Sequence, residues 1–185
     1  MTRATCTKSE QELLAYWLGE LDEAQESRFD EHLLACAACG ERLRALVDLG
    51  AAVRGQLLGG DFGFVLPAAF VRRLEAAGLR VREYHLEPGG SVSCTIAPDD
   101  DLVVAHLRAP LRGVRRLDFV LHDPKSGTQR VTDVAFDPAA DGVTMVPSVP
   151  YLRTLRHERQ RVRLVAVDGV EERVIGDYTF NHYPS

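Results

Sequence analysis

Apolar side chains recur at two different periods along this chain. Over about the first 58 residues they return every three or four positions, the spacing of one face of an α-helix. From Arg80 onward they return at every second position, the period of a strand with one buried face. The change of period predicts an α+β protein, with a helical bundle first and a β-rich domain after it.

Three helices are predicted in the N-terminal part. Ser9 and Glu12 have the spacing of a capping box, so the first helix is expected to begin there and to end at Gly19. A second helix is expected to begin at Asp22, with Glu23 and Glu26 in its first turn, and a third is expected to begin near Cys39. The apolar stripe of the third helix consists of Leu43, Leu46, Val47, Leu49, Val53 and Leu57.

Residues 59–79 are predicted to be a linker followed by a fourth helix. Gly59-Gly60-Asp61 breaks the third helix, residues 62–66 read as an apolar linker, and Pro67 is suited to a helix start. The apolar side of the fourth helix carries Phe70, Val71 and Leu74.

Residues 80–185 are predicted to form an all-β domain. Short alternating segments separated by turns are typical of an antiparallel β-sandwich or barrel. Asp168-Gly169, between the last two segments, predicts a hairpin. The predicted strands are 80–86, 91–96, 102–107, 116–121, 129–136, 143–146, 151–155, 162–167 and 173–180.

The candidate chemistry is concentrated in the N-terminal part, which holds Cys6, His32, Cys36 and Cys39. His32 and Cys36 are four positions apart, so a helix would place both on one face. Three thiols and one imidazole are a ligand set of tetrahedral zinc sites. A helical unit of about 50 residues has a small core, and a bound zinc ion would stabilise it. The alternative is that the cysteines are small buried residues at a helix end.

The spacing His32-x3-Cys36-x2-Cys39, with Cys6 upstream, resembles the zinc-binding anti-sigma domain of bacteria. The resemblance covers residues 1–58 and extends loosely to residue 79. It implies a protein that binds a sigma factor of the extracytoplasmic-function type and blocks its access to RNA polymerase. It also implies that the fourth helix contacts the sigma factor through Phe70, Val71 and Leu74, although this helix could instead cap the next domain.

The same resemblance leaves two roles open for the metal. In one, zinc is a structural staple. In the other, the thiolates form a redox switch in which Cys6 pairs with Cys36 or Cys39 as a disulfide when the metal is lost. Catalysis of the thioredoxin type is not expected, because Cys36-x-x-Cys39 lies in no strand–helix–strand pattern. We therefore expect a protein that is not an enzyme.

The charge and hydropathy of the chain narrow the choice of partners. The net charge is −5, and residues 1–58 hold six basic and ten acidic side chains. This argues against direct nucleic-acid binding and suits a basic protein partner, or simply a solvated acidic face. No membrane-spanning run or secretory signal is visible, so we expect a cytoplasmic protein with no membrane partner.

The β domain offers no recognised site. Cys94 alternates with apolar neighbours, which predicts a buried structural thiol. The domain's histidines lack the spacing of a metal motif, so no second metal site is predicted. Two alternatives to an anti-sigma factor stay open: a different zinc-stapled adaptor, and a ligand-binding protein or enzyme acting through the β domain. The histidines concerned are His85, His106, His122, His157 and His182.

Overall fold

A computed structural model describes residues 6, 8–59 and 63–183 of the chain. The contacts between residues divide the chain into two compact units, Met1–Gly55 and Gln56–Ser185. The α+β class is confirmed, because helices come first and two β-sheets follow. The predicted break at Gly60-Asp61 lies outside the described residues.

The capping box predicted for the first helix is confirmed, and the second helix begins next to the predicted Asp22. The Ser9 hydroxyl accepts from the Glu12 amide at 3.1 Å, and the Glu12 carboxylate accepts from the Ser9 amide at 2.8 Å. Gly19 ends the first helix in the left-handed conformation, with φ 72°, and Asp22 caps the second in a further capping box. The helices are α1 (Glu10–Leu18), α2 (Glu23–Ala35) and α3 (Ala37–Gly59).

The second unit contains nine strands and two short helices within the described residues. The segment predicted to be an apolar linker is partly a strand, because Phe64–Leu66 pairs antiparallel with Gly142–Val146. In chain order the elements are β1 (Phe64–Leu66), α4 (Ala68–Ala76), β2 (Val81–Leu86), β3 (Ser91–Cys94), β4 (Leu102–Arg108), β5 (Arg116–Asp123), β6 (Gly127–Val131), β7 (Gly142–Val146), α5 (Val149–Leu152), β8 (Arg159–Asp168) and β9 (Glu171–His182).

The strands form two open sheets, with orders β1-β7-β4-β2 and β3-β9-β8-β5-β6. The prediction that all pairing is antiparallel is wrong, because β2 pairs with β4 and β3 pairs with β9 in parallel. Consecutive strands β2 and β3 lie in different sheets, so each pairs with a strand from later in the chain. Neither described sheet closes into a barrel, which leaves the sandwich alternative.

The main core of this unit lies between the two sheets. Side chains of β2, β4 and β7 from one sheet meet side chains of β3, β5, β8 and β9 from the other. Leu164, Val162 and Leu117 are fully buried there, and Cys94 is buried as predicted, with 4% of its surface exposed. Asp168-Gly169 does form the predicted hairpin, since Asp168 pairs with Glu171 across the turn between β8 and β9.

Two strand predictions fail for local reasons. Residues 151–155 do not form a strand, because Ser148 caps the short helix α5 and accepts a hydrogen bond from the Tyr151 amide at 3.2 Å. The strand predicted over 129–136 ends at Val131. Asp133 adopts a left-handed conformation with φ 58°, which interrupts extended backbone.

Candidate metal centre

The four predicted ligands converge at the junction between α2 and α3. His32 lies in the last turn of α2, and Cys39 lies in the first turn of α3. Cys36 lies between them as the C-cap of α2 in extended conformation, with φ −125°, rather than on the helix itself. Cys6 comes from the segment that precedes α1.

The donor atoms of these residues are close enough to share one ion. The Cys6 Sγ atom lies 3.0 Å from the Cys39 Sγ atom and 3.6 Å from the His32 Nε2 atom. One donor atom from each of the four residues lies within 4.8 Å of the others. Cys39 is completely buried, and Cys6, His32 and Cys36 are partly buried.

The thiols that lie side by side have different proton affinities. A hydrogen bond from Cys39, followed by those from the Lys8 backbone and His32, lowers the pKa of Cys6 to about 6. Burial, followed by the hydrogen bond to Cys6, raises the pKa of Cys39 to about 11. Cys6 is therefore the more acidic of the two thiols.

Aromatic and basic side chains hold the Cys6 segment against the helices. Phe29 is buried with 1% of its surface exposed, stacks on Tyr16 at 4.6 Å, and meets the His32 ring edge-on at 6.2 Å. The Lys8 ammonium lies 5.1 Å from the centre of the Phe29 ring. Arg42 donates from Nη1 to the Lys8 carbonyl at 3.1 Å, so α3 fixes the backbone two residues after Cys6.

This donor set fits a zinc ion. Three sulfurs and one imidazole nitrogen are a closed, structural type of ligand set, and the partly buried position limits access of water. When bound, such an ion ties the segment before α1 to the ends of α2 and α3.

The residues predicted to contact a partner are buried in the structure. Phe70, Val71 and Leu74 of α4 have 6%, 2% and 4% of their surface exposed. These side chains would have to leave their packing before another protein could contact them. Their assignment to a sigma-binding surface stays a prediction.

Other apolar side chains of the N-terminal unit are exposed instead. Leu34 of α2 is 91% exposed, and Val47 and Leu49 of α3 are 47% and 60% exposed. At 100° per residue, Val47 and Leu49 lie about 80° to either side of the buried line through Cys39 and Gly50. Their spacing predicted both in the core stripe, because apolar spacing alone does not mark the edge of a buried face. We refer to Leu34, Val47 and Leu49 as the exposed apolar set.

A cavity of about 700 Å³ lies between the sheets of the second unit. Its lining is largely apolar and includes Phe64, Phe119 and Met145, with polar atoms from Tyr151 and Gln160. The volume is typical of small-molecule sites. The alternative of a ligand-binding β domain stays a prediction, and this cavity is large enough for a small molecule.

The N-terminal unit matches a known family. Residues 6–40 match the model of a protein family described as "Putative zinc-finger". The matched stretch contains all four converging residues, in agreement with the resemblance to the N-terminal part of zinc-binding anti-sigma factors. No curated protein matches the chain.

Among solved structures, the chain is similar to the "N-terminal domain of phage TP901-1 ORF48". The sequences are 14% identical, the match covers 58% of this chain and 99% of the phage chain, and the TM-score is 0.35. At that TM-score neither fold nor function can be transferred. Separately, none of the described helices is both long and apolar enough to cross a bilayer.

Proposed function

We propose that the protein is a zinc-dependent anti-sigma factor. In this proposal Cys6, His32, Cys36 and Cys39 bind one zinc ion, and the N-terminal unit sequesters a sigma factor of the extracytoplasmic-function type. The observation that carries the proposal is the convergence of all four donor atoms within the stretch that matches the zinc-finger family. The spacing of these residues, which resembles anti-sigma domains, supports the choice of partner.

The exposed apolar set supports a protein partner for this unit. A small helical unit that leaves Leu34 91% exposed keeps apolar surface in water that a partner could cover. The excess of acidic over basic side chains in residues 1–58 complements a basic partner surface. In this proposal the sigma factor therefore binds on α2 and α3, rather than on the buried side chains of α4.

Co-purification tests the partner. Each tagged extracytoplasmic-function sigma factor of the source organism is co-expressed with the full chain, and transcription from its promoter is measured with and without the chain. We expect one sigma factor to co-purify and its transcription to fall. Failure of every sigma factor to bind a correctly folded, zinc-loaded chain would contradict the proposal.

Surface variants test where the partner binds. Leu34→Asp should weaken the complex at least about tenfold, because it places a carboxylate in the apolar contact. Val47 and Leu49 lie on opposite sides of α3, so Val47→Asp and Leu49→Asp show which side of that helix the partner covers. Val170→Asp is the matched control, since Val170 is 99% exposed but lies in the second unit. Equal binding by Leu34→Asp, Val47→Asp, Leu49→Asp and Val170→Asp would exclude the exposed apolar set as the contact.

We further propose that this site responds to peroxide. The support is the 3.0 Å approach of the Cys6 and Cys39 sulfurs, which need move only about 1 Å to reach bonding distance. The Cys6 thiolate would attack peroxide to give a sulfenic acid and hydroxide. The Cys39 thiol would then attack the sulfenic sulfur, forming the disulfide and releasing water, so peroxide takes up the two electrons.

Disulfide mapping after peroxide treatment tests this step. We expect a Cys6–Cys39 disulfide together with loss of zinc and release of the sigma factor. Survival of the zinc-loaded complex in peroxide would leave the metal as a structural staple only. A Cys6–Cys36 disulfide in its place would show that the close approach of Cys6 and Cys39 does not decide which thiols react.

A further inference from the structure

Three potential metal ligands meet on one face of the first sheet in the second unit. Glu83 and His85 are two positions apart on β2, so both side chains point to the same side of the sheet. β4 runs parallel to β2, and His106 is in register with His85. The parallel pairing therefore places one carboxylate and two imidazoles side by side.

The spacing of their donor atoms suits a small cation. The His85 Nε2 atom lies 3.4 Å from one Glu83 carboxylate oxygen, and the His106 Nε2 atom lies 3.4 Å from the other. Donor atoms of all three residues lie within 4.8 Å of one another. Ligands bound to zinc at about 2.0–2.1 Å in a tetrahedron are about 3.3–3.4 Å apart, which matches the nitrogen–oxygen separations.

His106 supplies a second, independent observation. Its Nε2 atom is buried and makes no hydrogen bond of ordinary geometry within the described part of the chain. Its other ring nitrogen, Nδ1, lies 3.4 Å from the hydroxyl of Thr144, which is in register with His106 on β7. In metal-binding histidines one ring nitrogen is held by a neighbouring group and the other binds the metal. The contact at Nδ1 and the unpaired Nε2 of His106 have this arrangement among the described residues.

The three side chains of the site differ in their exposure to solvent. The side chains of His106, Glu83 and His85 are 25%, 40% and 69% exposed. The two imidazole rings stack at 4.5 Å with an angle of 14° between their planes. The exposed His85 ring can turn about its own bonds to direct Nε2 toward the same point as His106.

We propose that Glu83, His85 and His106 form a divalent-cation site that takes Zn²⁺. The two histidines and one carboxylate leave a fourth position open to water, as in zinc sites that are not purely structural. The site is distinct from the Cys6 centre, because all three ligands belong to the second unit and none lies in the family match. It stands independently of the anti-sigma proposal.

Zinc content of the full chain tests the proposal. After equilibrium dialysis against micromolar free Zn²⁺, metal and protein are quantified by mass spectrometry and absorbance. We expect two zinc ions per wild-type chain. His85→Gln, His106→Gln and Glu83→Gln should each retain one, and titration calorimetry should show the second binding event weakened at least about tenfold.

Two further variants make the assignment decisive. His157→Asn removes an exposed histidine elsewhere in the unit and should retain both ions, while Cys36→Ser should lose only the ion of the Cys6 centre. His85→Gln is expected to fold, because most of its side chain is in solvent. One ion in the wild-type chain would show that Glu83 merely pairs with the imidazoles. Two ions in all three ligand variants would place the second ion elsewhere. Either result overturns the site.

Discussion

The two units of this protein are stabilised by different means. Among its described residues, the N-terminal unit buries only Leu13, Phe29 and Cys39 as apolar side chains, and the last of these is a candidate ligand. The second unit fills the space between two sheets with leucine, valine and aromatic side chains. So few buried groups cannot offset the chain entropy of about 50 residues, whereas a two-layer core can. We therefore expect the first unit to need a metal ion at the candidate centre to stay folded, and the second unit to fold without one.

Removal of one thiol should have the largest effect and should separate the two units. Cys36→Ser is expected to unfold the N-terminal unit and leave the second unit folded, because only the first has so small an apolar core. Trp17 is the sole tryptophan and lies in α1, so its fluorescence reports on the first unit alone. Its emission should shift to that of an unfolded chain, while the β-sheet circular dichroism is kept.

Cys94→Ala is the control for this variant. Cys94 is buried in the second unit, where burial raises the pKa of its thiol to about 12, and it belongs to neither ligand cluster of the described residues. The control should keep wild-type Trp17 emission. Unchanged emission in Cys36→Ser as well would show that the small core suffices without the site.

A substitution that shortens a core side chain of the second unit should destabilise that unit and leave the first unit unchanged. Leu164 is completely buried between the sheets, and Leu164→Ala should lower the free energy of unfolding of this unit by about 2–5 kcal/mol. Urea unfolding followed by circular dichroism measures it, and Trp17 emission in the absence of urea should not change. Val170→Ala, at a position 99% exposed, should cost less than about 0.5 kcal/mol.

Loss of a helix cap should lower the free energy of unfolding of the first unit. Ser9→Ala removes the acceptor for the Glu12 amide and should cost about 1 kcal/mol, seen in urea unfolding followed by Trp17. Ser9→Thr keeps an acceptor and should stay close to wild type. A cost in Ser9→Thr equal to that in Ser9→Ala would rule out capping as the cause.

The smallest expected effect is a pH dependence confined to the second unit. Gln160 donates to the buried Asp123 carboxylate, so its own carbonyl oxygen is left to accept from His182 at 2.9 Å. Burial lowers the pKa of His182. The unfolded state therefore takes up a proton first as the pH falls below about 6.5, and stability should fall between that pH and the lowered pKa.

Urea unfolding at about pH 7.5 and about pH 5 measures this slope. His182→Gln keeps a donor for Gln160 without a titrating ring, and should flatten the dependence. His157→Asn, which removes an exposed histidine, should not flatten it. A slope that persists in His182→Gln would assign the pH dependence to another group.

Local features of the fold could be read from the sequence. The capping box at Ser9 involves residues three positions apart, and the Asp168-Gly169 turn joins neighbouring strands. Residues so close in the chain meet whenever the element forms, so spacing alone reveals them. The helix at α5 was missed because Ser148, outside the alternating segment, supplies the cap.

Pairing between distant strands could not be read in this way. Alternation of apolar and polar residues indicates a strand but does not identify the strand that pairs with it. The parallel pairing of β2 with β4 therefore came only from the structure. The same limit applies to the surface of α3, where Val47 and Leu49 share the apolar period but lie outside the buried line.

The candidate metal centre and the proposed second site differ in how much of each the sequence alone determines. His32, Cys36 and Cys39 occur within eight residues, and one helix junction suffices to bring their side chains together, so the sequence by itself determined that cluster. His85 and His106 are separated by a strand that joins the other sheet, and no spacing rule relates them. Only the parallel register, set by burial of each strand's apolar face, decided that they lie side by side with Glu83.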